Sequence, residues 1–183
     1  MKTEWDYTDL AEAYLKRPDY SDSAIDEMLA CAGVGENNHV CDVGAGVAHL
    51  TLKLAEKKLN VVSVEPNDAM RKRGIKRTAR FANVKWFEGT GEKTGQTASS
   101  FDMVTFGSSF NVTDRQAALR ETARILTPRA WFACMWNHRN LDDPLQAEIE
   151  GAIKFHISGY DYGTRREDQD PIIQASGLFE AST

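Results

Sequence analysis

Hydrophobic and polar positions along the chain follow two alternating periods. Short apolar runs fall at 40–43, 61–64, 84–88, 101–106 and 130–136. The first is almost unbroken, as in a strand buried on both faces of a parallel sheet. Between the runs, apolar residues recur every three or four positions, the spacing of a helix with one buried face. A helix over 5–16 places Tyr7, Leu10 and Tyr14 on one side and stops at Arg17-Pro18, because the residue before proline avoids helical backbone. A second, over 21–32, repeats Ile25, Met28, Leu29 and Ala32, carries capping-box spacing at Ser23 and Asp26, and ends at Gly33.

Further helices are expected over 48–57, with Val47, Leu50 and Leu54 facing inward, from Asp68 onward, and over 114–126, with Leu119, Ala123 and Leu126 inward. Asp143-Pro144 opens another in the favoured cap-then-proline order, with Leu145, Ile149, Ala152 and His156 on one face. A short helix over 170–176, stopped by Gly177, precedes a run at 178–180 that reads as the start of a sixth strand. Alternating strands and helices from 39 to 136 predict an α/β fold, a doubly wound, Rossmann-like, mostly parallel sheet with helices on both faces and an N-terminal helical cap.

At 183 residues the chain reads as one domain: a cap over 1–32, a core over 39–136, and a substrate-side helix and end over 137–183. The formal net charge of −5 argues against a polyanion such as nucleic acid as partner. Arg71, Lys72, Arg73, Lys76, Arg77 and Arg80 crowd one helix, and the reading preferred is a solvated outer face. No apolar signal core opens the sequence and no run of 18 apolar residues crosses a membrane, so a cytoplasmic protein is expected. Cys31, Cys41 and Cys134 have no metal-type spacing and read as reduced core thiols.

The candidate chemistry gathers at the first strand. Asp42-Val43-Gly44-Ala45-Gly46-Val47-Ala48 is a glycine turn between strand and helix, and the helix N-terminus aims N–H groups and its positive dipole end at that turn. Glu65 ends the next apolar run, 21 positions after Gly44, a distance that suits an acid reaching ribose hydroxyls. A dinucleotide fingerprint wants a third glycine at 49, where His49 stands.

The spacing Asp-x-Gly-x-Gly-x-Ala resembles motif I of the class I S-adenosylmethionine-dependent methyltransferases, with Ala48 in the slot of the family's third glycine. The resemblance runs in order through Glu65-Pro66, Glu88-Gly89-Thr90-Gly91-Glu92, Phe101-Asp102-Met103-Val104 and Leu126-Thr127-Pro128-Arg129-Ala130. It extends to Tyr7, Tyr14 and Arg17-Pro18-Asp19-Tyr20, which are similar to the cap of small-molecule enzymes such as the ubiquinone and menaquinone biosynthesis methyltransferases. It implies S-adenosyl-L-methionine as cofactor and S-adenosyl-L-homocysteine as product. Gly44, Ala45 and Gly46 would pass its amino-acid tail, Asp42 its amino group, and Tyr14 and Arg17 its methionine end. Glu65 and Pro66 would meet the ribose, and Thr90, Gly91 and Glu92 the adenine. Met70 would flank the adenine or belong to the core. Gly107, Ser108, Ser109 and Asn111, at the end of the fourth strand, would face the reacting methyl or the adenine.

Thr90 replaces the acid usual in the adenine loop. Both glycines usual after Pro128 are missing, so a different backbone conformation is expected there. Tyr7, Asn111 and Trp136 are substrate-side candidates. His138, in the loop after the fifth strand, is the candidate base, whereas His156 reads as a packed helix histidine. The residues after 159 are too few for the antiparallel pair that closes the family's sheet, which leaves the fifth strand as an edge open to homodimer formation. The expected activity is methyl transfer to an O, N or C nucleophile of a small molecule. A non-catalytic binding protein on the same fold and an NAD-dependent oxidoreductase are the alternatives.

Overall fold

The structure is a computed structural model and describes residues 8–138, 140–160 and 168–180. Five strands form one sheet in the order β3-β2-β1-β4-β5, and every neighbouring pair is parallel. They are β1 His39–Val43, β2 Asn60–Val64, β3 Val84–Phe87, β4 Phe101–Gly107 and β5 Leu126–Met135. The helices are α1 Ala11–Tyr14, α2 Asp22–Ala32, α3 His49–Glu56, α4 Asp68–Thr78, α5 Arg115–Ile125, α6 Pro144–His156 and α7 Asp170–Ala175.

Two apolar clusters sandwich the central strands. Ile25 and Leu29 of α2 join Leu50 and Leu54 of α3 against Val40, Val61 and Met103. Ala118, Leu119 and Ile125 of α5 join Phe106 and Phe110 against Cys41, Val43 and Val104. Burial on both faces explains why β1 and β4 read as nearly continuous apolar runs. The direction of winding reverses between β1 and β4, which opens a crevice beyond their carboxyl ends. Asp102 fastens this centre from below. Its Oδ2 accepts from the His39 amide at 2.8 Å and from Asn38 Nδ2 at 2.9 Å, bonds that hold its carboxyl below the usual carboxylate range.

Several expectations change. Trp5 and Tyr7 lie outside the described residues, and among the rest the first helix is short, with Ala11 buried and Leu10 half exposed. The capping box at Ser23 does not form. Ser21 is the N-cap, and its hydroxyl meets that of Ser23 instead. The third strand ends at Phe87 rather than at 88. Helix α5 buries Ala118, Leu119, Thr122 and Ile125, because Leu126 has already begun β5. At 127–130 no glycine is present to take a left-handed conformation. Arg129 itself takes a left-handed φ of 66°, inside a register irregularity of β5 against β4.

On α6 the expected apolar face is exposed, with Leu145 at 64% and Ile149 at 47%, and His156 is exposed rather than packed. No strand forms at 178–180, where Phe179 packs on Phe132 at 5.2 Å between ring centres. Cys41 is buried and Cys134 half buried, but Cys31 is exposed and is no core thiol. The basic helix α4 is largely engaged. Arg71 donates to the Glu65 carbonyl and Arg77 to that of Val47, while Arg73 and Arg80 pair with Glu12 and Glu56. No helix among the described residues is long and apolar enough to cross a membrane.

Candidate functional site

The glycine turn is built by close approach rather than by open space. Gly44 has φ 68°, and a Cβ on it would stand 2.4 Å from Ser109 Cβ. Ser109 in turn donates its hydroxyl to the Val43 carbonyl at 2.6 Å, so the ends of β1 and β4 are locked edge to edge. Ala48 caps α3 with φ 77°, a left-handed conformation that costs a residue with a Cβ about 1–2 kcal/mol. The amides of Gly44, Ala45 and Gly46 are not open to a ligand. Instead Gly44 and Ala45 donate to the Val64 carbonyl at 2.8 and 3.1 Å, and Gly46 donates to Glu65 Oε2 at 2.8 Å. A pyrophosphate would find these amides occupied, which weighs against a dinucleotide site.

Glu65 is buried at the end of β2. Besides Gly46 it receives the Asn67 amide at 2.8 Å on Oε1. Burial raises its carboxyl above the usual range, while those amide bonds and Arg71 pull it back. A carboxylate offers about four lone-pair sites, so two backbone amides leave acceptor capacity for a ligand's hydroxyls. Asp42 is fully buried and its carboxyl is pushed up to about 6, chiefly by burial, opposed by hydrogen bonds from Thr51 and Thr105. Thr51 Oγ1 donates at 2.6 Å and Thr105 Oγ1 at 3.2 Å, and Ser63 Oγ lies 3.0 Å from Thr51. These partners are neutral hydroxyls, so a cation arriving beside Asp42 would meet a carboxylate that no positive group among its hydrogen-bond partners in the described residues balances.

These groups border one cavity of about 660 Å³ over the β1–β4 crevice, a volume ordinary for a small-molecule site. Asp42, Gly44, Ala45 and Gly46 form one wall, and Glu65, Pro66 and Met70 the next. Thr90, Gly91 and Glu92 line it as well, as do Gly107, Ser108, Ser109 and Asn111 at the end of β4. Tyr14 and Arg17 come from the cap, with the guanidinium 4.9 Å from the Tyr14 ring centre. Met70 is at once core and lining, since it is almost fully buried among Ala11 and Val47.

Two of the expected residues lie elsewhere. His138 is exposed and stacks on Trp136 at 6.4 Å, and neither ring lines the cavity. Trp136 turns its Nε1 to Asn111 Oδ1 at 3.2 Å, so it supports a lining residue from behind. Tyr7 lies outside the described residues.

Tyr20 of the cap pattern lines the cavity, as do His49 and Asn137, to which the sequence assigns no site role. The Tyr20 hydroxyl lies 3.1 Å from Ser108 Oγ, and burial raises its pKa. Ser108 holds it from a left-handed φ of 57°, with its amide on the Met135 carbonyl at 2.8 Å. Tyr20 was visible as the last residue of Arg-Pro-x-Tyr. His49 had been read only as an absent glycine, and nothing in the sequence marked Asn137.

The site suits an adenosyl amino-acid ligand on its own terms. It offers a turn without Cβ atoms at Gly44 and Gly46, a buried acid for a vicinal diol, and an unbalanced carboxylate for an ammonium group. Known proteins point the same way. An uncharacterized methyltransferase of Mycobacterium bovis is 34% identical over 124 residues, which is 68% of this chain and 48% of that protein. A ubiquinone/menaquinone biosynthesis C-methyltransferase of Citrobacter koseri is 29% identical over 136 residues, 70% of this chain and 54% of that one. The chain thus spans about half the length of the curated relatives it matches.

Among solved structures, a Methanococcus maripaludis protein superimposes with a TM-score of 0.68 at 16% identity, covering 86% of this chain and 73% of that one. An S-adenosylmethionine-dependent methyltransferase of Aquifex aeolicus gives 0.57 at 17% identity, with 75% and 88% covered. Residues 41–134 match the family described as methyltransferase domain, which takes in 94 of the 183 residues. With more than half of its length inside that match, the chain belongs to the class I S-adenosylmethionine-dependent methyltransferases.

Proposed function

We propose that this protein transfers a methyl group to an O, N or C nucleophile of a small molecule, using the cavity over the β1–β4 crevice. The observation that carries the reading is Glu65. It is buried at the end of β2, joined to the glycine turn through Gly46, and keeps acceptor capacity toward the cavity. In this proposal Glu65 takes the ribose hydroxyls, Asp42 faces the ammonium group, and Arg17 pairs with the carboxylate of the methionine end. Thr90, Gly91 and Glu92 border the adenine. S-adenosylmethionine supplies an activated methyl on a sulfonium.

The protein's share of catalysis is then positioning and exclusion of water. The cap serves both, since Tyr14, Arg17 and Tyr20 border the cavity. A general base is not required by this account, and His138 lies on the exposed side of Trp136 rather than in the cavity. Asn111, Ser108 and Asn137 are the polar groups assigned to the acceptor. Similarity to a ubiquinone/menaquinone biosynthesis C-methyltransferase keeps carbon among the acceptor atoms. The negative net charge favours a small molecule over nucleic acid.

Calorimetric titration with S-adenosylhomocysteine and, separately, with NADH tests the cofactor reading. Saturable binding of the first and none of the second is expected. Binding of NADH alone would overturn it. Transfer of label from methyl-labelled donor to a panel of phenols, quinols and amines then tests the reaction, and label that moves to none of them would leave a binding protein.

A further inference from the structure

The geometry points to His49 as a positioning residue that clasps the cap segment over the methyl-donor cavity. The inference rests on the cofactor reading above, but the contacts that carry it are internal to the protein. His49 is the first residue of α3, directly after the left-handed Ala48 that ends the glycine turn. Its imidazole reaches away from the helix to two points on the cap. Nδ1 lies 2.7 Å from Asp19 Oδ1, and Nε2 lies 2.8 Å from the Tyr14 carbonyl. Both partners are oxygen atoms, and the tautomer of the ring sets which nitrogen donates.

The ring therefore ties together the two ends of the turn that follows α1. Between those ends run Arg17 and Pro18, and just beyond comes Tyr20, all of which line the cavity. The His49 side chain is only 13% exposed although Asp19 is open to solvent, so the clasp is sheltered on the side that faces the core. A second hold comes from the opposite rim, where Asn137 Nδ2 donates to the Pro18 and Asp19 carbonyls at 3.3 and 3.4 Å. A third is the Tyr20 hydroxyl on Ser108 Oγ at 3.1 Å.

The clasp thus links cradle to cover. The same loop that shapes the glycine turn also fixes the segment carrying Arg17 and Tyr20, and any shift of the turn reaches the cap through one imidazole. The glycine that a dinucleotide fingerprint would place at 49 could not make this connection, because it has no side chain. His49 need not touch the cofactor or the acceptor to act. It sets where Arg17 and Tyr20 stand.

The test uses the full chain, with Asp19→Ala, His49→Gln and the double variant beside the parent. Trypsin cuts after the exposed Lys16 but not after Arg17, which precedes proline, so cleavage at Lys16 reports the turn that follows α1. Without any ligand, faster cutting after Lys16 is expected in each variant, with the double variant no faster than His49→Gln. Affinity for S-adenosylhomocysteine is expected to fall about threefold to tenfold in each single variant, the scale of one or two net hydrogen bonds, and non-additively in the double. Asp19 is a surface residue, so Asp19→Ala reports on the clasp even if His49→Gln does not fold. Equal cutting rates in the parent and Asp19→Ala would overturn the clasp, as would additive losses in the double variant. A parent that binds no S-adenosylhomocysteine would contradict the cofactor reading instead, and the ligand-free cutting rates would still decide the clasp.

Discussion

The Glu65 carboxylate accepts the amide of Gly46 at 2.8 Å, and through that bond the end of β2 holds the middle of the turn that follows β1. Its other oxygen accepts the Asn67 amide, also at 2.8 Å, at the start of α4. One buried side chain therefore fixes two walls of the cavity before any ligand arrives. Such preorganisation lowers the cost of binding, because the ordering is already part of folding.

Glu65→Ala should destabilise the ligand-free protein as well as its binding. Two part-buried amides lose their acceptor, each at a cost of up to about 1–3 kcal/mol. Urea unfolding of the ligand-free variant should show that loss in its midpoint, with a smaller loss for Glu65→Gln, which keeps one carbonyl acceptor. An alanine variant as stable as the parent would show that these bonds do not hold the turn.

Asp42 makes ligand binding depend on pH. Burial raises its carboxyl to about 6 from 3.8, so the folded ligand-free protein binds this proton more tightly than the unfolded chain does. The contribution of Asp42 to stability is then full below about 3.8 and is lost as pH rises through about 6, a change on the order of 3 kcal/mol. An ammonium group placed beside Asp42 favours the ionised form, so affinity for S-adenosylhomocysteine should rise with pH up to about 6 and then level. Proton release on binding near pH 5.5, read by calorimetry in buffers of different ionisation enthalpy, should shrink in Asp42→Asn. Glu65 is raised as well and shifts in the same sense, so the comparison with Asp42→Asn isolates the Asp42 share. Equal release in both proteins would contradict the assignment.

Ala48 and Arg129 occupy backbone positions that favour glycine, with φ of 77° and 66°. Ala48→Gly and Arg129→Gly should each raise stability by about 0.5–1 kcal/mol, the relief of left-handed strain less the added freedom of glycine in the unfolded chain. Arg120→Gly, inside α5, should lower it by about 1 kcal/mol. Thermal melts of the three variants check the contrast in sign, and a loss in all three would refute the strain.

Glu121 supports the loop that carries Thr90, Gly91 and Glu92. It accepts the Thr94 amide at 2.9 Å and the Thr94 hydroxyl at 2.5 Å, while Arg124 bonds both its carboxylate and the Gln96 carbonyl. Arg124, then the Thr94 bonds, hold its carboxyl down to about 2 against some desolvation. Its contribution is therefore present above the ordinary glutamate range of about 4.5 and is lost as pH falls toward about 2. Glu121→Gln should flatten that part of the acid-unfolding curve and speed hydrogen exchange over 90–96. Unchanged exchange there would remove Glu121 from the support of this wall.

The parallel sheet and most of the cavity lining were legible because both rest on local signals. Unbroken apolar runs marked strands buried on two faces, and the spacing of Asp42, Gly44, Gly46 and Glu65 fell on strand ends that the fold brings together. The misses share a physical cause, which is that long-range contacts overrule local preference. Arg129 adopts a glycine conformation because β5 must realign on β4. The glycine-turn amides are taken by Val64 and Glu65, partners that become neighbours only when β2 pairs with β1. His138 looked well placed as the histidine after a strand, yet its ring turns outward onto Trp136, and the histidine bordering the cavity is His49.

The most direct test of the methyl-donor site is a calorimetric titration of S-adenosylhomocysteine into the parent and Glu65→Gln at pH 7.5. One ligand per chain is predicted for the parent, with affinity at least about tenfold weaker in the variant, since the charged acceptor for the ribose hydroxyls is lost. Equal affinities in the two proteins would contradict the placement of the ribose at Glu65.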